Sequence, residues 1–364
     1  MSTTRHLQRP AAGLALCALL LSACTSSIAP GTTLTTDPFP GNPPRPALAG
    51  NTPAADAPSE PGTSTALVGP HPSSGTTVVR ALLAPDATLP ETLANDFQAT
   101  TGYTLQILNP LKETDHHADV LVGFDGGAML RMTPTLSPEA PEGFQPPADA
   151  QLAQAPGALP YAHDDVCVMA DTQWYAANRL TPPGSVNDLA TADHAARLIV
   201  PSPKESPAGA TFAHLMASLQ GAQISTWLAN AKAAGMQVLP FDEAEAAWTL
   251  SGGARPLAVA PLSRAARTIT NTGTESYLAP VAGSCVSRTL YAAQHVQASN
   301  PDGARSFMAY LYTRPAQALL AEQGAAYPLD SEQAKHTATE LYAAPREDTV
   351  ALSAEQLQPT PQGW

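Results

Sequence analysis

Residues 76–109 read TTVVRALLAPDATLPETLANDFQATTGYTLQILN. The apolar, β-branched run TTVVRALLA predicts a strand. LPETLANDFQATTG predicts a helix closed by Gly102, because glycine tolerates the left-handed backbone that ends helices. TLQILN is a second strand, and ADVLVGF at 118–124 a third, apolar throughout as a strand covered on both faces requires. Strand, helix and strand joined by short links predict a parallel sheet wound with helices on both faces. The alternation continues downstream, where DDVCVMA (164–170), RLIVPS (197–202), PLAVAP (256–261) and CVSRTLYAAQ (285–294) read as strands. Helices are expected at about 211–220, 222–234, 242–251, 302–313 and 315–323, followed by a polar tail to Trp364. No repeat of solenoid period occurs.

Upstream of this body the composition changes. Arg5 and Arg9 form a positive start, residues 11–21 an apolar stretch too short to span a bilayer, and Leu21-Ser22-Ala23-Cys24 resembles the bacterial lipobox. Cys24 is therefore the expected lipidation site; an ordinary secretory peptide cut after Ala23 is the alternative. Residues 25–76 hold 11 prolines and a single aromatic, Phe39. Such a stretch cannot bury enough apolar surface to offset its ordering entropy, so it is expected to be a disordered tether. Two acyl chains and an amide-linked third would anchor it stably to the outer face of the cell membrane.

The whole chain of 364 residues carries 18 basic and 31 acidic residues, a formal charge of −13. Removing residues 1–24 takes away Arg5 and Arg9 and leaves 16 against 31, or −15. Lysine is scarce, at Lys112, Lys204, Lys232 and Lys335. Nucleic-acid binding needs clustered positive charge to release counterions from phosphate, and that class is excluded. Hydrophobic residues reach 44%, enough for a sizeable core, whereas aromatic residues are only 5%, which bears on the ligand.

Five stretches carry a resemblance to a known family. ATTGYTLQIL (99–108) is similar to a family helix end and second strand. ADVLVGFDGGAMLRM (118–132) resembles an ADVVxGxDN segment. DDVCVMAD (164–171), followed by WYAANRLTPPGSVNDL (174–189), resembles a GDVCVxxD crossover, its helix and a turn. PSPKESPAGATF (201–212) resembles an NPxTSSPGxxF loop, and 285–329 resembles the returning crossover, a terminal helix pair and a final YP. Together they resemble the substrate-binding proteins of thiamine ABC importers, in their actinobacterial lipoprotein branch. The resemblance implies an α/β, two-lobed type II periplasmic-binding-protein fold with two crossover hinge strands, at about 161–170 and 285–294. The expected division is signal peptide 1–24, tether 25–76, first part of lobe I 77–163, lobe II 164–284, return part of lobe I 285–345, and C-terminal tail 346–364.

Cys167 and Cys285 are the cysteines left after export besides Cys24. An oxidising compartment permits a disulfide between them, which would staple the hinge; two buried free thiols are the alternative. Thiamine is a cation with two rings, so a dedicated site needs aromatic faces and carboxylates. The residues expected to bind ligand are Asp125, Tyr161, Asp165, Ser206, Phe241, Ser263 and Tyr327, with Trp248 a further aromatic candidate. For the aromatics ordinary core packing is the alternative, and for Asp125 and Asp165 helix capping or a solvated turn. Several family aromatics are replaced. Phe241 stands for a tryptophan, Pro261 for a tyrosine, Ala325 and Ala326 precede the YP, and the first strand ends in APDA (84–87).

No nucleophile, zincin or phosphate-loop motif occurs, so no catalytic residue, enzyme activity or cofactor is expected. Asp115, His116, His117 and Asp119, and His163 with Asp164 and Asp165, lack helical metal-ligand spacing and read as polar segments; no metal site is expected. The tyrosine pair of ferric-binding relatives is missing, as no YY dipeptide occurs. The expectation is a monomeric, lipid-anchored solute-binding protein that passes thiamine or a related small cation to ABC permease subunits. The alternative is a degenerate member of the fold serving as a cell-surface interaction or accessory module with no transport ligand.

Overall fold

The opening unit forms β1 (Val78–Leu83), α1 (Glu91–Thr101) and β2 (Thr104–Leu108), with β1 and β2 parallel from Val78 beside Thr104 to Leu82 beside Leu108. Gly102 takes φ 78° and its N–H caps the carbonyl of Gln98, which is why the helix stops there. A computed structural model describes residues 77–109, 118–141, 144, 146–269, 275–359 and 361–364, all within one unit, Asp37–Trp364. The lipobox with Cys24, the tether, Lys112 and 115–117 lie outside the described residues.

Lobe I continues through β3 (Val120–Phe124), α2 (Gly126–Met132) and β4 (Leu159–His163). The chain then enters lobe II, which comprises β5 (Val166–Asp171), α3 (Thr172–Ala177), α4 (Ala192–Ala195), β6 (Leu198–Pro201), α5 (Pro207–Gln220), α6 (Ile224–Ala233), β7 (Gln237–Leu239), α7 (Phe241–Ala247), β8 (Leu257–Pro261), α8 (Ser263–Arg267) and β9 (Leu278–Pro280). It returns to lobe I as β10 (Thr289–Gln294), α9 (Pro301–Tyr310), α10 (Arg314–Glu322) and β11 (Tyr327–Pro328), then forms α11 (Ala338–Tyr342) and α12 (Ala354–Leu357).

The sheets have orders β11-β4-β10-β3-β1-β2 and β7-β6-β8-β5-β9. They are mixed rather than parallel as the sequence pattern predicts. β10 runs antiparallel to β3 and β4, and β5 antiparallel to β8 and β9. The reason is the connection: β4 leads into β5 with no helix between, so each sheet receives a strand through the hinge instead of through a βα turn. Each lobe has two cores, one per sheet face. Val79, Ala81 and Phe97 share one face of lobe I, and Leu82, Leu121 and Met129 the other. Val168, Leu198 and Phe212 lie on one face of lobe II, and Met169, Ile199 and Trp248 on the other.

Several boundaries differ from the sequence reading. α5 starts at Pro207, because Ser206 caps it and a proline at the first helical position needs no N–H partner. α7 ends at Ala247. The strand expected from Cys285 joins the lobe I sheet only at Thr289, its first residues pairing across the hinge instead. The polar tail also forms α11 and α12.

Candidate functional site

The hinge is a short antiparallel ladder. Val166 and Val286 exchange N–H···O bonds at 3.0 and 2.8 Å, and the Asp164 amide donates to the Arg288 carbonyl at 2.9 Å. Val350 runs parallel beside Val286, its amide donating to the Cys285 carbonyl at 2.9 Å, so a third segment lines the hinge. A Cys167–Cys285 disulfide closes the ladder at its lobe II end, spanning 118 residues of sequence. Lobe II thus becomes a covalent ring at its base.

Arg288 occupies the lobe I end of the ladder, and its side chain is fully buried. Its Nε donates to the Asp164 carbonyl at 2.8 Å and its Nη1 to Asp86 Oδ2 at 2.8 Å, while Nη2 lies 3.7 Å from Asp164 Oδ2. Burial works against its charge, but Asp86, Asp164 and Asp125 outweigh it and raise its pKa. Asp164 is held by Ser263, which donates to it from both N (2.9 Å) and Oγ (2.7 Å). Asp165 accepts from the Arg288 amide at 3.2 Å and from Thr349 Oγ1 at 3.3 Å. Desolvation, with a smaller contribution from Asp164, pushes the Asp165 carboxyl up to about 6.

Asp86 belongs to the APDA turn after β1, in lobe I, yet its Oδ2 also accepts from Ala208 N at 2.7 Å in the first turn of α5, in lobe II. A helix N-terminus favours a negative group through its unpaired N–H donors and dipole. Here the chain supplies that group from the opposite lobe.

Beside this contact lies an interlobe cavity of about 300 Å³. Lobe I contributes Pro85, Phe124, Ala128, Arg131 and Met132; lobe II contributes residues 203–207 and Ala210. Its charged lining residues are Arg131, Lys204 and Glu205, and its one aromatic is Phe124.

The candidate residues separate by where the fold places them. Ser206 lines the cavity and caps α5, its Oγ accepting from Gly209 N at 3.2 Å. Asp125 is buried and caps α2, its Oδ1 accepting from Ala128 N at 2.7 Å; burial chiefly raises its pKa. Asp165 and Ser263 meet at the Arg288 network. Tyr161 lies in the lobe I core, and Trp248 in the lobe II core with the Arg264 guanidinium 5.5 Å from its ring. Phe241 begins α7, and its amide donates to Glu205 at 3.2 Å; Tyr327 sits beside His163 at the end of the lobe I sheet. Neither lines the cavity. Asp119 is engaged by the amides of Arg80 and Asn300, both at 2.8 Å.

Sequence reasoning missed Asp86, Arg131, Asp164, Lys204, Glu205 and Arg288 as contributors. Arg288 had a readable signal, being the lone charge in CVSRTLYAAQ, where a buried crossover permits a cation only if it is paired.

No curated protein matches the chain significantly. Among solved structures it is similar to a periplasmic thiamin binding protein (16% identity, TM-score 0.62, covering 79% of this chain and 94% of that one). It is also similar to the periplasmic binding protein P5PA (15%, TM-score 0.61, covering 79% and 96%). A third similar structure is AfuA from Actinobacillus pleuropneumoniae, with exogenous fructose-6-phosphate bound (14%, TM-score 0.56, covering 77% and 90%). At such identities the likeness is one of fold, two α/β lobes on crossing strands. The family model described as bacterial extracellular solute-binding protein matches residues 136–325, which include the whole of lobe II and the hinge, and the chain belongs to that family.

Proposed function

We propose that this protein captures a small organic solute between its lobes, outside the cytoplasm, and hands it to the permease of an ABC importer while anchored through lipid on Cys24. It performs no chemistry; closure with differential affinity for the closed form is the mechanism. The observation that carries this reading is the cavity between α2 and α5, walled by both lobes and set beside a two-strand hinge.

For the solute, the resemblance argues for thiamine or a related cation, and the lining adds a condition. Arg131 and Lys204 against Glu205 favour a solute bearing phosphate or carboxylate, and Phe124 offers one face for a ring. A thiamine phosphate satisfies both the resemblance and the lining. The test is thermal denaturation of the purified protein with thiamine, thiamine monophosphate and fructose 6-phosphate. A saturating ligand at 100 times its Kd stabilises by about 2.7 kcal/mol. We expect a saturable shift with a phosphate-bearing compound, weakened in Lys204→Ala, which removes a lining cation. A second reading, an accessory module without a transport ligand, draws on Asp86 already filling the end of α5. No shift with these compounds or with a wider set of phosphates, carboxylates and cations would favour it.

A further inference from the structure

The segment after α11 runs alternately over the two lobes. It begins on lobe II and the hinge, where Asp348 accepts from Gly283 N at 3.1 Å, Val350 joins the hinge ladder, and Val350 and Leu352 pack on a lobe II core. It then crosses to lobe I. A capping box between Ser353 and Gln356 starts α12, Ala354 packs on a lobe I core, and Arg131 Nη1 donates to the carbonyls of Leu357 (2.9 Å) and Gln358 (3.0 Å). Finally it returns to lobe II. Lys232 Nζ donates to the Gly363 carbonyl at 3.2 Å, and Trp364 meets Phe212 edge-on at 5.8 Å. α12 therefore touches both α2 and α5, the two helices that wall the cavity.

A hinged pair of lobes moves as two rigid bodies. A segment fastened to one, then the other, then the first again cannot follow both. One attachment must let go before the lobes separate. The lobe II attachments include Trp364 against Phe212 and Trp227 and two apolar side chains on the core. The lobe I attachment is smaller: Ala354, Leu357 and two hydrogen bonds from the exposed Arg131.

We propose that residues 348–359, with 361–364, form a strap that latches the two lobes closed in the absence of solute, and that it releases at its lobe I end, where Leu357 lies on Gly127. The latch concerns the solute-free protein, so it stands or falls independently of which solute is bound, or of whether one is.

Gly127 makes the test specific. A Cβ there would meet the carbonyl carbon and oxygen of Leu357 at 2.5 Å and its Cβ at 2.6 Å, the three nearest atoms. Alanine is otherwise the better helix residue, so Gly127→Ala presses on the strap rather than on either core. Hydrogen exchange and small-angle scattering are measured on the solute-free protein, on Gly127→Ala and on Arg131→Ala. Exchange across 353–359 should quicken about tenfold or more in Gly127→Ala, by a smaller factor in Arg131→Ala, with β1 and β5 as protected as before, and the radius of gyration should grow. Should Gly127→Ala lose protection in β1 and β5 as well, Arg131→Ala decides, since it touches neither core. Unchanged exchange across 353–359 in that variant would overturn the proposal, as would a loosened strap with no change in radius of gyration.

Discussion

Asp86→Ala is the most informative single perturbation of the buried network. It removes the acceptor of Arg288 Nη1 and of Ala208 N at once. The guanidinium has no exposed surface to turn toward water, so it keeps only the Asp164 carbonyl and a carboxylate oxygen at 3.7 Å. Breaking a buried pair by removing one partner costs about 3–5 kcal/mol, and an orphaned buried N–H adds about 1–3 kcal/mol. The remaining Asp164 contacts offset part of this, and we expect a loss of about 3 kcal/mol at neutral pH. Arg288→Met should cost a similar amount, because it leaves Asp86 and Asp164 buried beside each other without a cation. The double variant removes one charge of each sign and should lose less than the sum by about 2 kcal/mol or more, the coupling expected of contacting groups. Urea unfolding with linear extrapolation, checked for an unchanged m-value, measures all three. Additivity within about 0.5 kcal/mol, or a loss below about 1 kcal/mol for Asp86→Ala, would refute the pairing argument.

Other parts of the hinge have their own tests. Replacing Cys167 and Cys285 together by serine opens a loop spanning 118 residues, and on the chain-entropy model should cost about 4–5 kcal/mol; unreduced protein should not react with a thiol reagent at either position. Asp165, raised to about 6, binds its proton more tightly folded than unfolded. Its contribution to stability is therefore greatest in acid, below the unfolded value of about 4, and declines as pH rises through about 6, by roughly 3 kcal/mol in all, the loss being complete at about pH 7. Asp165→Asn should flatten that part of the stability profile, and an unaltered profile would contradict it. Ser263→Ala removes the 2.7 Å hydroxyl bond to Asp164 and should cost about 1–2 kcal/mol in thermal unfolding, since the acceptor is buried and charged.

The elements that repeat a simple rule were readable. α1 is bounded by its apolar spacing and Gly102, and β3 by five buried residues in a row. The disulfide joins the two cysteines that follow from export and the crossover resemblance. Strand direction was not legible, because a run such as CVSRTLYAAQ reads the same whether it is delivered by a βα turn or through a hinge. The candidate site was legible only in part, for a related reason. Asp125 directly follows β3 and Ser206 ends the loop after β6, but each bonds the third amide onward in its own helix, and the sequence of a cap does not say whether a side chain is spent on it. Asp86 meets Arg288 across 202 positions and Ala208 across 122, separations no local pattern encodes. α12 had a signal that went unread: Ser353 and Gln356 spell a capping box, and the polarity of the surrounding tail obscured it.

The contacts that close this cleft alter what a solute has to do. In the simplest binding protein the open form predominates, and solute contributes the contacts that favour closure. Here Asp86 reaches from lobe I to α5, and the segment around α12 touches both α2 and α5, so intrachain contacts already favour the closed form. A solute still has to pass through an open one. Apparent affinity falls by the fraction of molecules in the competent form, so an open population of about 1% would weaken binding about 100-fold. Groups that strengthen the latch therefore weaken solute capture even though none of them blocks the cavity. Arg131 stands at the junction, since it lines the cavity while donating to the strap carbonyls. An anionic solute group drawn to that guanidinium competes with the Leu357 and Gln358 carbonyls for its donors. The same side chain thereby couples the arrival of solute to release of the latch, with no need for a longer path through the protein.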